Sequence, residues 1–306
     1  MICDAHVHFF SPQFFETLAR QKGLLSAEAL ARLGWDDPKS ISALADAWVA
    51  ELDRHGVSRA ALIASVPGDE ESVADAIARH PTRFVGFFML DPTADDAVER
   101  TRRALDGGMR GICLFPAMQR YSLHDDRVAA IFDLASSYEA AATPPGPAPR
   151  SGGPAIFVHC GVLSVGVRKK LGLPSPFDLR FGNPLDLHGI AIRFDRVPII
   201  VPHFGAGLFR EALMLADLCP NVYFDTSSSN AWMRYIPGLT LEHVFAAALA
   251  IVGPERLLFG SDSSFFPRGW VRSVYDDQLR AVAEARVPPD TRMKIFGGNF
   301  NRLFPP

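Results

Sequence analysis

Apolar residues occur along this chain in eight short, nearly continuous runs that are rich in β-branched and aromatic side chains. Such runs predict strands of a parallel sheet covered on both faces, because a half-exposed strand would alternate apolar and polar residues. The predicted strands are residues 2–9, 59–65, 84–90, 109–115, 155–161, 198–204, 221–228 and 256–263.

Between most of these runs the apolar positions repeat at helical spacing. The predicted helices are residues 42–55, 69–80, 94–106, 125–142, 207–218, 240–252 and 273–286. This alternation predicts an α/β fold, a (β/α)8 TIM barrel in which residues 1–306 form one domain. The alternative is a doubly wound open sheet, which usually has a glycine-rich first turn. The first turn here, HVHFFSP, has no glycine, so the barrel is favoured.

Three segments depart from the plain repeat of strand and helix. Residues 10–41 and 162–196 are long, and we expect them to be insertions after strands 1 and 5 that lie over the barrel mouth. Residues 143–154 (TPPGPAPRSGGP) are so rich in proline and glycine that they predict an exposed, mobile loop. Because strands continue on both sides of it, this loop is not a domain boundary.

Composition narrows the classes of partner. A formal net charge of −3, with Lys and Arg thinly spread, predicts no nucleic-acid or membrane partner and favours small molecules. The four cysteines lack CxxC spacing, so we expect free thiols and a cytoplasmic protein. We find neither a secretory signal pattern nor a run of eighteen apolar residues, so nothing in the sequence predicts export or membrane anchoring.

Polar groups interrupt the apolar strands at one end of the predicted barrel. His6 and His8, in DAHVHFF, are two residues apart on one strand, so their imidazoles point to the same face. Such a pair alone is equally consistent with core histidines bonded to the backbone. However, His159, His203 and Asp262 also lie near the carboxyl ends of predicted strands, where barrel enzymes hold their active sites. The sequence therefore predicts a site at this end.

Imidazole nitrogens together with a carboxylate suit one borderline divalent cation. We expect Zn²⁺, with Mn²⁺, Fe²⁺ and Co²⁺ as alternatives. A catalytic zinc keeps a position for water and lowers the pKa of that water to about 7, or it polarises a substrate carbonyl. Both uses need a neighbouring base.

Four motifs in this order resemble the amidohydrolase superfamily: DAHVHF, FVHCG, VPHFG and LLFGSDSSF, followed by the ending GGNFNRLF. The chain is most similar to the amidohydrolase-2 branch, which contains aminocarboxymuconate-semialdehyde decarboxylase, γ-resorcylate decarboxylase and related hydrolases and lactonases. The resemblance spans essentially the whole chain. Many superfamily members hold two metals with a carboxylated lysine on strand four. The matching segment here, ICLFPAM, has no lysine, which favours a single ion.

Carried over residue by residue, the resemblance implies a metal bound by His6, His8, His159 and Asp262. It also implies that His203 acts as a general acid or base, or as an electrostatic contact to the substrate, and that Asp262 can shuttle a proton as well as bind the metal. Two acidic residues are less decisive. Asp4 and Asp225 are either structural carboxylates or partners that orient a ligating histidine.

Substrate recognition rests on the loop after strand eight and the segment after strand five. Arg268 and Trp270 are predicted near the mouth, where a guanidinium binds a carboxylate and an indole supplies a flat wall. A run of basic residues, 168–170, is equally consistent with a solvated loop. The expected partner is thus a small anionic substrate.

Two chemistries and one non-catalytic alternative remain open from the sequence. The first chemistry is hydrolysis of an amide, ester or lactone, and the second is decarboxylation of an acid. The alternative is a barrel that binds a metal or ligand without catalysis. His203 is an argument against this alternative, because metal coordination does not require a further histidine beside the ligands. Since related barrels often form dimers, a homodimer is also considered.

Overall fold

Eight parallel strands form one sheet in chain order within residues 1–142 and 153–306, the part of the chain that the computed structural model describes. They are β1 (Ile2–Phe9), β2 (Val57–Ala64), β3 (Phe84–Leu90), β4 (Gly111–Leu114), β5 (Ala155–Val158), β6 (Ile199–Val201), β7 (Val222–Asp225) and β8 (Leu257–Leu258). The Ala5 amide donates to the Phe259 carbonyl (2.8 Å) and the His8 amide to the Ser263 carbonyl (2.7 Å). These bonds join the last strand to the first, so the barrel is nearly closed. The predicted barrel is confirmed.

Helices connect the strands in all eight units. Within the described residues they are α1 (Pro12–Lys22), α2 (Ser26–Leu33), α3 (Ile41–Arg54), α4 (Glu70–Arg79), α5 (Ala97–Asp106), α6 (Pro116–Gln119), α7 (Asp126–Ala142), α8 (Gly166–Leu171), α9 (His188–Arg193), α10 (Phe209–Leu218), α11 (Leu241–Ile251), α12 (Arg272–Glu284), α13 (Pro289–Met293) and α14 (Asn299–Leu303). None of these helices combines the length and the apolar character that crossing a bilayer requires.

Two strands next to the site are shorter than their apolar runs predict. The fifth was predicted to reach residue 161 and ends at Val158, and the eighth was predicted to reach 263 and ends at Leu258. After β6, His203 and Phe204 take left-handed conformations with φ of 55° and 52°. A backbone of this shape cannot continue a strand. His159, His203 and Asp262 therefore lie on the turns that leave the sheet, whereas His6 and His8 lie on β1.

A bulge in β1 sets which side chains of that strand face inward. Asp4 pairs with Ala60, whereas Val7 pairs with Leu62, so three steps along β1 match two along β2. Ala5 belongs to the apolar cluster inside the barrel and Val7 to the cluster outside it. His6 also faces inward, with its ring centroid 5.1 Å from that of Phe157. Strict alternation would have placed Ala5 and His6 on opposite faces.

Buried apolar side chains form three clusters among the described residues. The largest lies between the strands and the surrounding helices. A second fills the barrel interior and is closed at the bottom by Phe300 and Leu303 of α14 and by Phe304, which follows that helix. A third joins α1 and α2 to α8 through residues that include Phe14, Leu30 and Val167.

Two further expectations from the sequence concern the cysteines and the proline-rich loop. All four cysteines are buried free thiols, as predicted. The predicted mobile loop, residues 143–154, lies outside the described residues except for its last two.

Candidate metal centre

Three side chains converge at the carboxyl end of the barrel. One ligating atom each from His6, His8 and Asp262 lies within 4.8 Å of the others. The Nε2 atoms of the two histidines are 3.3 Å apart. Oδ1 of Asp262 is 3.7 Å from Nε2 of His6 and 3.4 Å from Nε2 of His8. The first and last strands of the barrel thus bring together residues more than 250 positions apart in the chain.

Hydrogen bonds set the tautomers of both histidines. Nδ1 of His6 lies 2.6 Å from Oδ2 of Asp225, to which it donates. Nδ1 of His8 lies 2.8 Å from the Ser65 hydroxyl, which gives its own hydrogen to the Ile63 carbonyl. Ser65 must therefore accept from His8. Because both Nδ1 atoms are donors, both neutral rings turn an Nε2 lone pair toward Asp262.

This arrangement fits a divalent cation. Two lone pairs and a carboxylate oxygen at these separations repel one another unless a positive charge lies between them. In the metal-free protein a proton on His6 can supply that charge: burial lowers the pKa of His6, but Asp225, with Asp262 and Asp4, outweighs burial and raises it. A metal that binds there displaces that proton.

His203 is held at the same end by a shared hydroxyl. Its Nδ1 lies 2.9 Å from the Ser227 hydroxyl and 3.2 Å from the Ser227 carbonyl. That hydroxyl donates to Oδ2 of Asp225 (2.9 Å), so it accepts from His203. Nδ1 of His203 is therefore the donor, which leaves Nε2 with a lone pair. The ring centroid lies 5.2 Å from that of His6, next to the three converging groups.

His159 lies in the wall of the same cavity but outside the three-residue cluster. Its ring centroid is 5.3 Å from that of His203 and 5.6 Å from that of Phe115. Its Nδ1 is buried without a hydrogen-bond partner among the described residues. Such an unsatisfied atom is costly in a protein interior and is expected where a ligand supplies the partner. Its role as a fourth metal ligand stays a prediction.

Burial and charge set the protonation of these groups. Burial lowers the pKa of His159 well below its ordinary value and also lowers the pKa values of His8 and His203. Burial raises the pKa of Asp262, but the contacts with His8, His6 and His203 outweigh it and leave that pKa low. Asp262 is therefore a carboxylate and His8, His159 and His203 are neutral imidazoles. His6 becomes neutral when a metal displaces its proton, and the centre then offers a donor set for that metal.

Sequence reasoning missed three residues that shape the centre: Ser65, Ser227 and Gly260. Ser227 lies in the DTSS segment already noted for Asp225, and Ser65 directly follows β2. A Cβ atom at Gly260 would lie 2.4 Å from Oδ1 of Asp225 and 3.0 Å from Cβ of His6, so only glycine fits. The visible signal for all three was their position in the carboxyl half of a predicted strand.

A cavity of about 510 Å³ opens above the converging groups. Arg268 lines it as predicted, and its Nη2 donates to the Ser264 hydroxyl (2.8 Å) and the Asp262 carbonyl (3.3 Å). Lys170 lies at the rim, with Nζ 5.5 Å from the centre of the Trp35 ring and 5.8 Å from that of Phe265.

Trp270 does not line this cavity, contrary to the expectation from the sequence. Its ring is 2% exposed, and Nε1 donates to Oδ2 of Asp4 at 2.7 Å, on the outer side of β1. Two other tryptophans, Trp35 and Trp232, line the cavity instead. The reason is that Trp270 turns back into the layer between strands and helices, where its ring packs against Phe259.

A family model and several solved structures match almost the whole of this chain. A family model described as amidohydrolase matches residues 3–305. A search of curated proteins finds no match.

Among solved structures, an uncharacterized TIM-barrel protein from Bordetella bronchiseptica is 17% identical, with 99% of this chain and 97% of that chain covered and a TM-score of 0.63. A probable 2-pyrone-4,6-dicarboxylic acid hydrolase from Acinetobacter baumannii, with citric acid bound, is 14% identical, with coverages of 99% and 98% and a TM-score of 0.58. An amidohydrolase from Burkholderia multivorans, with bound zinc, is 19% identical, with coverages of 99% and 98% and a TM-score of 0.58. At these identities the likenesses show the fold alone.

Proposed function

Since the chain belongs to the amidohydrolase family, whose model matches residues 3–305, we propose that it hydrolyses an ester, lactone or amide bond in a small carboxylate-bearing molecule. The observation that carries the proposal is the convergence of His6, His8 and Asp262, with both Nε2 lone pairs turned inward. In a merely structural pair of core histidines, these nitrogens would form hydrogen bonds with backbone groups.

The proposed cofactor is one divalent cation, Zn²⁺ in the first instance, with Mn²⁺, Fe²⁺ and Co²⁺ as alternatives. His6, His8 and Asp262 would hold it, and we propose His159 as a further ligand. When bound, such an ion supplies Lewis acidity toward a carbonyl oxygen and makes water more acidic.

The residues of this chain would then move the protons. We propose that Nε2 of His203 takes a proton from the attacking water while the water oxygen bonds to the carbonyl carbon. The Nδ1 proton of His203 stays on its bonds to Ser227, which orients the ring throughout. As the carbon–oxygen or carbon–nitrogen bond breaks, the proton that His203 took up is passed to the leaving atom, directly or by way of the Asp262 carboxylate. The balance is one water consumed for each bond broken, which gives one carboxylic acid and one alcohol or amine, both in a single molecule when the substrate is a lactone.

Substrate binding would use the rim of the cavity. Arg268 and Lys170 supply positive charge, and Trp35 and Phe265, stacked with centroids 3.8 Å apart, supply a flat apolar wall. Among residues within the described ranges, Lys170 has no ion-pair partner at 4.0 Å or less, so a substrate anion meets an uncompensated charge. These features support a planar molecule that carries a carboxylate.

Metal content and reaction products test the proposal together. Purified protein is expected to hold about one equivalent of zinc, and His6→Ala is expected to lose both the ion and activity. His124→Ala is the matched control, because the His124 side chain is 70% exposed and lies outside the cluster. The substrate panel contains simple lactones, 2-pyrone-4,6-dicarboxylate and hydroxybenzoates, with acid release followed by pH-stat and CO₂ trapped.

We expect acid release from a lactone and no CO₂. Two results would contradict the proposal. One is CO₂ evolved from a hydroxybenzoate without any hydrolysis, which would indicate a decarboxylase. The other is zinc retained by His6→Ala at the wild-type level.

A further inference from the structure

The Asp4 carboxylate lies beneath the metal centre, fully buried, and accepts four hydrogen bonds. Oδ1 accepts from the backbone amides of His6 (2.9 Å) and Ser261 (3.0 Å). Oδ2 accepts from Nε1 of Trp270 (2.7 Å) and from the Ser261 hydroxyl. Together these bonds use the acceptor capacity of a carboxylate, which has about four lone-pair sites.

Three of the four donors that face Asp4 cannot reverse their direction. The amides and the indole can only donate. The Val271 amide donates to the Ser263 hydroxyl (2.9 Å), which lies 2.6 Å from the Ser261 hydroxyl. The latter gives its hydrogen to Asp4 and accepts from Ser263. An asparagine at position 4 would therefore point its NH₂ group at two amide donors in one orientation and at the indole donor in the other.

These bonds tie together the two chain segments that carry the proposed metal ligands. His6 lies two residues after Asp4 on β1, and Ser261 directly precedes Asp262. Asp262 adopts a left-handed backbone with φ of 59°, which a non-glycine residue keeps only where its surroundings enforce it. The Asp262 amide also donates to the His6 carbonyl (3.0 Å), directly above the Asp4 bonds.

We propose that Asp4 is a positioning residue of the metal centre. It sets the separation and orientation of His6 and Asp262, and through them the affinity for the cation, without touching the cation itself. The inference rests on the proposed function, because it concerns the same metal.

Asp69 offers a matched control. It is likewise a buried aspartate, 1% exposed, that accepts from two serine hydroxyls, those of Ser11 (2.6 Å) and Ser72. It lies outside the three-residue metal cluster and tethers α4 to the start of α1.

The experiment compares Asp4→Asn with Asp69→Asn. The zinc dissociation constant is measured by competition with a chromophoric chelator, and the unfolding temperature of each metal-free protein is recorded beside it. We expect zinc to bind Asp4→Asn about 10- to 100-fold more weakly than wild type, the range typical of partners that orient metal ligands. Asp69→Asn should stay within about threefold, even where its unfolding temperature falls.

A second pair keeps the test decisive if Asp4→Asn does not fold. Ser261→Ala removes one donor to Asp4, and Ser72→Ala removes the corresponding donor to Asp69. The first should weaken zinc binding severalfold and the second should not.

The inference is overturned if the Asp4 or Ser261 variant binds zinc like wild type, or if both members of a pair lose affinity equally. Wild-type protein that binds zinc but hydrolyses nothing in the substrate panel would sink the proposed function and leave this inference standing. Wild-type protein that binds no zinc would sink both.

Discussion

At the scale of single residues, the candidate metal centre depends on residues that neither bind the metal nor react with the substrate. Ser227 gives its hydrogen to Asp225 and accepts from His203, so one hydroxyl sets the tautomer of the proposed base. Gly260 leaves the space in which Asp225 and His6 meet. Changing these supports should therefore weaken metal binding although every ligand stays in place.

Gly260→Ala tests this at the most crowded point. The added methyl would lie 2.4 Å from Oδ1 of Asp225 and 2.8 Å from Cβ of Ser227, so both must shift. We expect zinc affinity to fall at least about tenfold, as measured by chelator competition.

The matched control is Gly189→Ala in α9, where nothing lies within 4 Å of the added methyl. It should retain zinc and gain up to about 1 kcal/mol of stability from helix propensity. Equal zinc affinities in the two variants would show that the space at Gly260 is not needed.

At the scale of elements, three separate chain connections meet over the cavity. Trp35 follows α2, Lys170 lies on α8, and Phe265 and Arg268 follow β8. The stacked rings of Trp35 and Phe265 join the first connection to the last, and Lys170 approaches both rings. Under the proposed function, the connections would therefore select the substrate, while the strand ends would bind the metal.

Two adjacent lysines on α8 test the role of the rim. Lys170 lines the cavity and Lys169 does not, although the two are the same residue type on the same helix. Lys170→Met should weaken the binding of benzoate, a planar carboxylate, about two- to fivefold, as expected for an exposed ion pair of about 0.4–1 kcal/mol. Calorimetric titration measures the change. Lys169→Met should bind benzoate like wild type. An equal loss of benzoate affinity in both variants would show that the effect comes from the net charge of the protein and not from the position of Lys170.

At the scale of the whole molecule, the two ends of the barrel serve different purposes. The candidate metal centre lies at the carboxyl ends of the strands, whereas the opposite end is plugged by α14. There Nη1 of Arg59 donates to the Asn301 side chain (2.7 Å) and to the Phe304 carbonyl (2.6 Å).

Two fully buried carboxyls, Asp4 and Asp69, have pKa values raised to about 6 because burial opposes their charge.

Asp69 makes the free energy of unfolding depend on pH, and the sign of this dependence follows from its raised pKa. Its pKa is about 6 in the folded state against 3.8 as the ordinary value, so the folded protein binds the proton more tightly. The resulting stabilisation is complete below the ordinary value and disappears as the pH rises through 6. From pH 7 to pH 5 wild type should gain about 1 kcal/mol of unfolding free energy relative to Asp69→Asn. Urea unfolding at the two pH values measures this difference, and a constant difference would refute it.

The repeat of strands and helices and the places of the polar residues were determined by the sequence alone. Strand and helix formation depends on local periodicity, and parallel strands must point their carboxyl ends the same way. His6, His8, His203 and Asp262 could therefore be placed at one end before any coordinates. The same reasoning supported Arg268 at the mouth.

Only the tertiary structure decided which atoms meet. The bulge in β1, the left-handed turn at Asp262 and the tautomers of His6 and His8 all depend on partners far away in the chain. Trp270 shows the limit most clearly, since its neighbours in sequence line the mouth while its own ring is buried against the outer side of β1. Hydrogen bonds and packing between distant segments leave no periodic signal in a single sequence, and so they appear only once the barrel closes.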